Sequence, residues 1–355
     1  MATNTTHLTI NKVVAETADT ISIHFQQPWH KMIDYKPGQF LTLIANIEGK
    51  QVRRAYSLCS SPHADAFPAV AVKRIPGGLM SNYLAEWAKQ GEGIEILEPM
   101  GNFYYEPAPE KRRHIVLFAA GSGITPMFSI IKSVLKMEPK SDITLVYGNR
   151  NIDSIIFLNE LTKLQEENSS KFRIVHSLTS PPDQWYGATG RISEEMLGEI
   201  LDQTEPAIPV EDSLYYMCGP HGMMEAVQKV LISKGVAANK VFHESFFSAV
   251  NEEDKEAAIV EQGIIERTVK VIYDNEEFSF KVPAHSTILE AAQDQDVDLP
   301  YSCQSGLCTA CRGKCLSGKV HMDETEGLSQ NELDNGYILT CVGHPLTADV
   351  VIEIG

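Results

Sequence analysis

The hydrophobic pattern divides the chain into three zones. Up to about residue 107, short apolar-rich runs are separated by turn residues: HLTINKVVAET, TISIHFQ, QFLTLIANI, QVRRAYSLCS, AVAVKRI and GIEILEP. Pro37-Gly38, Glu48-Gly49-Lys50 and Gly91-Glu92-Gly93 punctuate them. This spacing predicts an antiparallel sheet closed into a small β-barrel. One helix interrupts it, from Ser81 to about Gln90, with Ser81 as its cap.

From about 108 to 248 the period alternates. Strands HIVLFAAG, DITLVYGN, FRIVHSLT and SLYYMCGP are interleaved with helices PMFSIIKSVLKM, SIIFLNELTKLQEEN, SEEMLGEIL and MMEAVQKVLISKG. Continuous apolar strands alternating with helices imply an α/β unit, a parallel sheet covered on both faces, with SLYYMCGP as its last strand. Residues 249–263 are polar and acidic at their start and read as a linker. The third zone, 264–355, opens with TVKVIYDNEEFSFKV, in which Asp274-Asn275 marks a hairpin turn. Thr287 caps a short helix over ILEAAQDQ, and the chain closes on a strand at VVIEI.

Composition narrows the class. A chain of 355 residues suits two or three domains, and 43% hydrophobic with 22% charged residues excludes a disordered chain. Lys and Arg number 30 against 47 Asp and Glu, a formal charge of −17, which disfavours nucleic acid and anionic membrane as partners. Residues 266–355 hold 15 acidic and 6 basic side chains, a net −9. That density suggests a basic docking face on a partner, with salt-sensitive encounter; it also serves solubility. The longest apolar stretch, His114 to Leu135, is broken by glycines, Pro126 and Lys132, so no membrane span is expected. MATNTTHLTI lacks a basic start and apolar core, so no secretory signal is expected, and a cytoplasmic protein is.

The cysteines carry the sharpest chemistry. Of seven, five lie between Cys303 and Cys341, an unsuitable distribution for a disulfide scaffold. Cys303-x4-Cys308-x2-Cys311, followed after 29 residues by Cys341, is the plant-type spacing for a [2Fe-2S] cluster. Two irons bridged by two sulfides need four thiolates, and Gly306 lets the loop backbone approach them. The alternative is a four-cysteine zinc site, although only one C-x2-C pair is present. Cys315 falls outside the pattern and reads as a small buried side chain.

Three further motifs bear on cofactors. Gly121-Ser122-Gly123-Ile124-Thr125-Pro126 follows an apolar strand and opens a helix, which suits pyrophosphate contact with backbone N–H groups, though Pro126 replaces the third glycine of the dinucleotide fingerprint. In Arg54-Ala55-Tyr56-Ser57 an Arg can neutralise phosphate, a Tyr can stack on a ring and a Ser can hydrogen-bond a ring nitrogen. Gly77-Gly78 before Ser81 makes a second anion cradle. Cys218-Gly219-Pro220 ends a parallel strand, where α/β ligands bind.

Taken in order, RxYS, GITP, CGP and C-x4-C-x2-C resemble the ferredoxin–NADP reductase superfamily with a plant-type ferredoxin fused at the C-terminus, over nearly the whole chain. The resemblance implies an FAD-binding barrel (1–107), an NAD(P)-binding α/β domain (108–248) and an α+β β-grasp ferredoxin domain (264–355). It implies that Arg54, Tyr56 and Ser57 hold FAD, that Gly78 and Ser81 bind its pyrophosphate, and that Gly121, Gly123 and Thr125 receive the nicotinamide nucleotide. Cys218, with Gly219 and Pro220, would line the nicotinamide pocket. Glu244 and Phe246 match the Glu-x-Phe of the group, Phe246 covering the flavin; Phe247 beside it competes for that role. Ser57, Cys218 and Glu244 would act in catalysis by positioning. The implied activity is an electron-transfer reductase running from NADPH through FAD and [2Fe-2S] to the oxygenase component of a multicomponent monooxygenase. Ring-hydroxylating or alkane oxygenases and fatty-acyl desaturases are alternative acceptors. A zinc-stabilised nucleotide-binding protein without activity is the alternative class. Arg150, after the second strand of the nucleotide zone, favours the 2′-phosphate of NADPH, while Asp153 keeps NADH open.

Overall fold

The computed structural model describes residues 5–27, 32–88, 91, 93–203, 212–246, 263–325 and 327–355. The expected linker lies outside the described residues except for Gly263, as do Phe247 and the end of the barrel helix at 89–90.

Six strands form the first sheet: β1 (Thr5–Ala15), β2 (Thr20–Gln26), β3 (Phe40–Ile47), β4 (Lys50–Ser57), β5 (Ala69–Lys73) and β6 (Gly93–Leu97), in the order β4-β3-β6-β1-β2-β5. β1 runs antiparallel to both β2 and β6, and β2 antiparallel to β5. Alternation is clean on β1, where Leu8 is fully buried between exposed His7 and Thr9; β2 and β5 are buried on both sides, Ser22 beside Ile23 and Ala69 and Ala71 beside Val70 and Val72. The helix α1 (Leu79–Trp87) begins two residues earlier than the sequence suggests. Gly78 is its N-cap, and Ser81 sits inside the first turn, its hydroxyl accepting from the Ile75 amide (3.2 Å).

The second sheet contains β7 (His114–Ala120), β8 (Asp142–Asn149), β9 (Phe172–Leu178), β10 (Ala188–Thr189), β11 (Ser213–Cys218) and β12 (Val241–Glu244). All pair in parallel, in the order β10-β9-β8-β7-β11-β12. The helices are α2 (Ile124–Met137), α3 (Leu158–Glu167), α4 (Glu194–Gln203) and α5 (His221–Ser233). The two faces separate by residue parity. Ile115, Leu117, Ala119, Leu145 and Tyr147 pack with α2 and α3, whereas Val116, Phe118, Val146 and Met217 pack with α4 and α5. SLYYMC is not the last strand, since β12 pairs with β11 beyond it and Glu244 ends that edge. Nor is SIIF helical. Asn151 caps a short turn over Ile152–Ser154, Phe157 takes a left-handed φ of 62°, and Ile155, Ile156 and Phe157 are buried as a plug before α3 starts.

The third sheet holds β13 (Arg267–Tyr273), β14 (Glu276–Val282), β15 (Arg312–Ser317), β17 (Tyr337–Leu339) and β19 (Val351–Ile354), in the order β14-β13-β19-β15-β17. β16 (Val320–Met322) and β18 (Gly343–Pro345) make a separate antiparallel pair. Asp274 and Asn275 both have positive φ (53° and 63°), the primed turn that matches hairpin twist. β13 and β19 are parallel, so first and last strands lie side by side at the centre. Helix α6 (Ile288–Gln293) is closed by a reciprocal capping box between Thr287 and Glu290, and α7 (Gln330–Asp334) by one between Ser329 and Glu332. Among the described residues no helix is long and apolar enough to cross a membrane.

By packing, the chain falls into two compact units. One comprises Thr5–Leu41 and Tyr56–Phe246; the other comprises Thr42–Ala55 and the described residues from 263 to 355.

Candidate redox site

In the parallel sheet, β7 is the switch point: the next strand in sequence, β8, lies on one side and β11 on the other. Ligands bind beyond the carboxyl ends of strands at such a crevice. Register brings the expected residues to that edge. Ala120 pairs with Gly148, Cys218 with Ala119, and Cys218 with Glu244. Gly121 therefore leaves β7 beside the ends of β8 and β11, with Arg150 exposed just past β8.

The two glycines of the turn do different jobs. Gly121 has φ +53° and open space around its missing Cβ, so it supplies the left-handed corner and leaves the approach to the turn clear. Gly123 meets a second demand that its spacing does not announce: a Cβ there would lie 2.0 Å from the Cys218 carbonyl oxygen, so it is the contact point between the turn and β11. Gly219 is similarly tight, with Met223 Cε 2.6 Å from a built Cβ, while Pro220 is exposed and serves as the N-cap of α5. The Thr125 hydroxyl is buried and donates to the Ser122 carbonyl (3.0 Å), holding the turn from within. Tyr147, which the sequence pattern did not single out, donates to the Gly121 carbonyl (3.0 Å) and fixes the corner from β8. Its signal was a polar-tipped aromatic at the end of an apolar strand.

At the other wall, the Ser57 hydroxyl donates to Glu244 Oε2 (3.1 Å), and the two residues are 6% and 2% exposed. A buried carboxylate needs donors, and the serine supplies one and helps to aim it. Cys218, fully buried, stands beside Glu244 in register. Tyr56 is half-buried, and Arg54 is exposed, its guanidinium donating to the Arg53 carbonyl (2.8 Å). Phe246 is half-buried and packs against the apolar cluster that contains Cys218. Gly78 is held by its neighbours, for a Cβ would meet Ser81 Oγ at 2.7 Å, and α1 starts there without a side-chain cap. These features suit a flavin and a dinucleotide: an exposed guanidinium, two helix starts capped by glycine backbone, and a buried hydroxyl–carboxylate pair.

The four cysteines of the spacing motif meet. Cys303, Cys311 and Cys341 are buried and Cys308 half-buried. The thiols of Cys308 and Cys341 hydrogen-bond to Cys303 and lower its pKa. Cys341 likewise lowers Cys311, and Cys308 and Cys341, as the donors, are raised. Among the described residues no His, Cys, Asp or Glu trio forms a ready-made ion cage; the four sulfurs close on one another instead. Four soft donors gathered in one buried place fit an iron–sulfur cluster. The loop is built for close approach. Gly306 has φ +71°, with Glu324 Cβ only 2.8 Å from its missing Cβ, and a Cβ on Gly327 would strike the Gly306 carbonyl at 2.5 Å. The Ser305 amide points at Cys303 Sγ (3.4 Å), a donor to a negative sulfur. Cys315 is outside the group, half-buried rather than buried, and donates to the Ser317 carbonyl (3.2 Å).

Comparison with known proteins agrees with this geometry. Residues 7–105 match the oxidoreductase FAD-binding domain, 117–229 the oxidoreductase NAD-binding domain and 271–346 the 2Fe-2S iron-sulfur cluster binding domain. The last match sets aside the zinc reading. The chain is 36% identical to a 1,2-phenylacetyl-CoA epoxidase subunit of Escherichia coli, over 98% of this chain and 96% of that protein. It is 37% identical to the ferredoxin reductase component of 3-ketosteroid-9-alpha-monooxygenase of Rhodococcus rhodochrous, over 98% and 96%. Among solved structures, phthalate dioxygenase reductase shares the fold, with TM-score 0.68 and 24% identity over 99% of this chain and 98% of that one.

Proposed function

The chain belongs to the ferredoxin–NADP reductase superfamily, in the branch that carries a C-terminal plant-type [2Fe-2S] domain, and from that premise we propose that it supplies electrons to the oxygenase of a phenylacetyl-CoA epoxidase. As an NAD(P)H oxidoreductase of this branch, it moves electrons through FAD and [2Fe-2S]. The observation that carries the reading is the gathering of four thiols in a chain that also holds the Ser57–Glu244 pair. When bound, FAD and the cluster supply the conversion of a two-electron hydride donor into single electrons.

The residues act by holding. Arg54 would neutralise the flavin pyrophosphate and Tyr56 cover the ring, with Gly78 and the first turn of α1 giving backbone donors. Ser57 would fix the flavin edge, and Glu244 orient that hydroxyl while Cys218 packs the nicotinamide; Phe246 would close the same face. Gly121, Gly123, Thr125 and Gly219-Pro220 shape the nucleotide turn. Cys303, Cys308, Cys311 and Cys341 would ligate the irons, and Ser305 N–H would stabilise negative sulfur.

Arg150, exposed at the end of β8, supports NADPH as donor. Four thiols kept as cluster ligands need a reducing compartment, which supports the cytoplasm. We assign the domains as 1–107, 108–248 and 264–355, with 249–263 between them. A second acceptor, a steroid or ring oxygenase, is favoured by the 37% identity to the 3-ketosteroid-9-alpha-monooxygenase reductase. The test is reconstitution. The holoenzyme with NADPH should support turnover by a phenylacetyl-CoA epoxidase oxygenase at a higher kcat/KM than by a steroid oxygenase, and the reverse order would reject the first acceptor.

A further inference from the structure

Strand β4 carries two successive arginines, and a strand sends neighbours to opposite faces. Arg54 is exposed; Arg53 is 8% exposed. The buried one reaches the cluster loop. Its guanidinium lies over the Tyr301 ring, 4.7 Å from the centroid, and Nη1 donates to the Ser302 carbonyl (3.4 Å), the residue before Cys303. Gln51 Oε1 accepts from Arg53 Nε (3.2 Å) and Nη2 (2.9 Å), so the fork is aimed from its own strand. Lys50 pairs with Asp294 at 2.9 Å, but both side chains are mostly exposed, so that pair adds little. Residues 42–55 and 263–355 pack as one unit, and these contacts lie inside it.

We propose that Arg53 is a positioning residue for electron transfer, holding the Tyr301–Cys303 segment on β4, one residue from Arg54, the proposed anchor of the flavin. The inference rests on the flavin and cluster reading above and adds to it a tie between the cluster loop and the strand that carries Arg54. Electron transfer weakens steeply with distance, and a loop clamped at residues 301 and 302 keeps its first cluster ligand in place. A cation over an aromatic ring, removed from water, is a strong enough tie for this, and the planar fork of Arg is what lets it also reach Ser302 and Gln51. One electron leaves the reduced flavin and enters the oxidised cluster at each transfer; Arg53 neither gains nor loses charge.

The test uses full-length holoenzyme. In Arg53→Ala, stopped-flow bleaching of the flavin by NADPH should keep its rate, while the following reduction of the cluster slows about tenfold. Hydrogen exchange of the backbone around 301–305 should rise, and the flavin and cluster midpoint potentials should stay where they are. Tyr301→Leu attacks the same contact from the other side and should give the same slowing. The double variant should be no slower than either single one, because the pair acts as a unit. Arg53→Lys, which keeps a cation but loses the fork, should recover part of the rate. The proposal is overturned if Arg53→Ala leaves both cluster reduction and exchange unchanged, or if a shifted midpoint potential accounts for all the slowing. A wild-type protein whose reduced flavin never passes an electron to the cluster would instead reject the functional reading beneath it.

Discussion

Ser57 and Glu244 stand 187 positions apart in sequence and are joined by one hydrogen bond of 3.1 Å between two buried side chains. The bond links β4, from the first sheet, to the last residue of β12, from the second. Ser57→Ala should therefore do two things. It leaves a buried carboxylate short of a donor, at a cost of about 1–3 kcal/mol. It should also slow flavin reduction by NADPH by about ten- to a hundredfold while FAD stays bound, because orientation rather than binding is lost. Stopped-flow bleaching with FAD content measured in parallel checks both.

The turn glycines should separate cleanly. In Gly123→Ala the new methyl would meet the Cys218 carbonyl oxygen at 2.0 Å, so α2 must move off β11; we expect a loss of several kcal/mol, about 3 or more, or no folded protein. Gly121→Ala meets nothing within 4 Å and bears only the cost of φ +53°, about 1 kcal/mol. Thermal midpoints of the two variants should rank in that order, and only the second should retain measurable NADPH turnover.

Stability should fall on mild acidification. His114 is buried on β7 beside Thr144 Oγ1 (2.9 Å), and burial pushes its pKa down from 6.5 to about 4. The unfolded chain binds a proton at this group below about pH 6.5, whereas the folded chain resists it until about pH 4. Its contribution is thus complete above the first value and is lost between the two, up to about 3 kcal/mol. His114→Gln should flatten the slope of thermal midpoint against pH in that window. At lower pH, Glu138 works in the same direction. Burial raises its pKa, but Arg113, Tyr105, the Ala108 amide and Ser141 outweigh burial and hold it below the usual carboxylate range. Its stabilisation is lost as pH falls through that lowered value, and Glu138→Ala, which strands Arg113, should cost about 3–5 kcal/mol.

The cysteines should divide four to one. Replacing Cys303, Cys308, Cys311 or Cys341 by Ser should abolish bound iron and acid-labile sulfide in the purified protein, and leave NADPH-dependent flavin bleaching in place. Cys315→Ser should keep iron, sulfide and the reduced-cluster electron paramagnetic resonance signal, since its thiol is directed at the Ser317 and Gly318 carbonyls.

Much of this was legible in the chain because periodicity is a strong signal. The six strands of the first sheet, the parity of the parallel sheet, the Asp274-Asn275 turn and the Thr287 cap all follow from local chemistry. The misreadings have local causes too. Ser81 looked like a cap, but the Gly77-Gly78 pair before it lets the helix start at Leu79, which turns the serine inward to Ile75. VFHE is only four residues long, too short to announce an edge strand, and so β12 and the place of Glu244 on it were missed. SIIF carries helical residues, yet Phe157 turns left-handed because three apolar side chains are drawn into the core at once. Gly123 fits a phosphate motif by spacing, and its tight approach to a carbonyl 95 residues away is a further constraint that no local pattern encodes. Arg53 was overlooked for the same reason: its partner, Tyr301, lies on a distant loop.

The central claim is that NADPH electrons reach a cluster held by Cys303, Cys308, Cys311 and Cys341 by way of the flavin. Anaerobic mixing of holoenzyme with NADPH, followed by optical spectra and rapid-freeze electron paramagnetic resonance, tests it most directly. The account predicts flavin bleaching first and then the signal of a reduced [2Fe-2S] centre, with the second step missing in Cys308→Ser. Reduction of the flavin with an intact cluster that stays oxidised, or cluster reduction as fast without flavin as with it, would contradict the account.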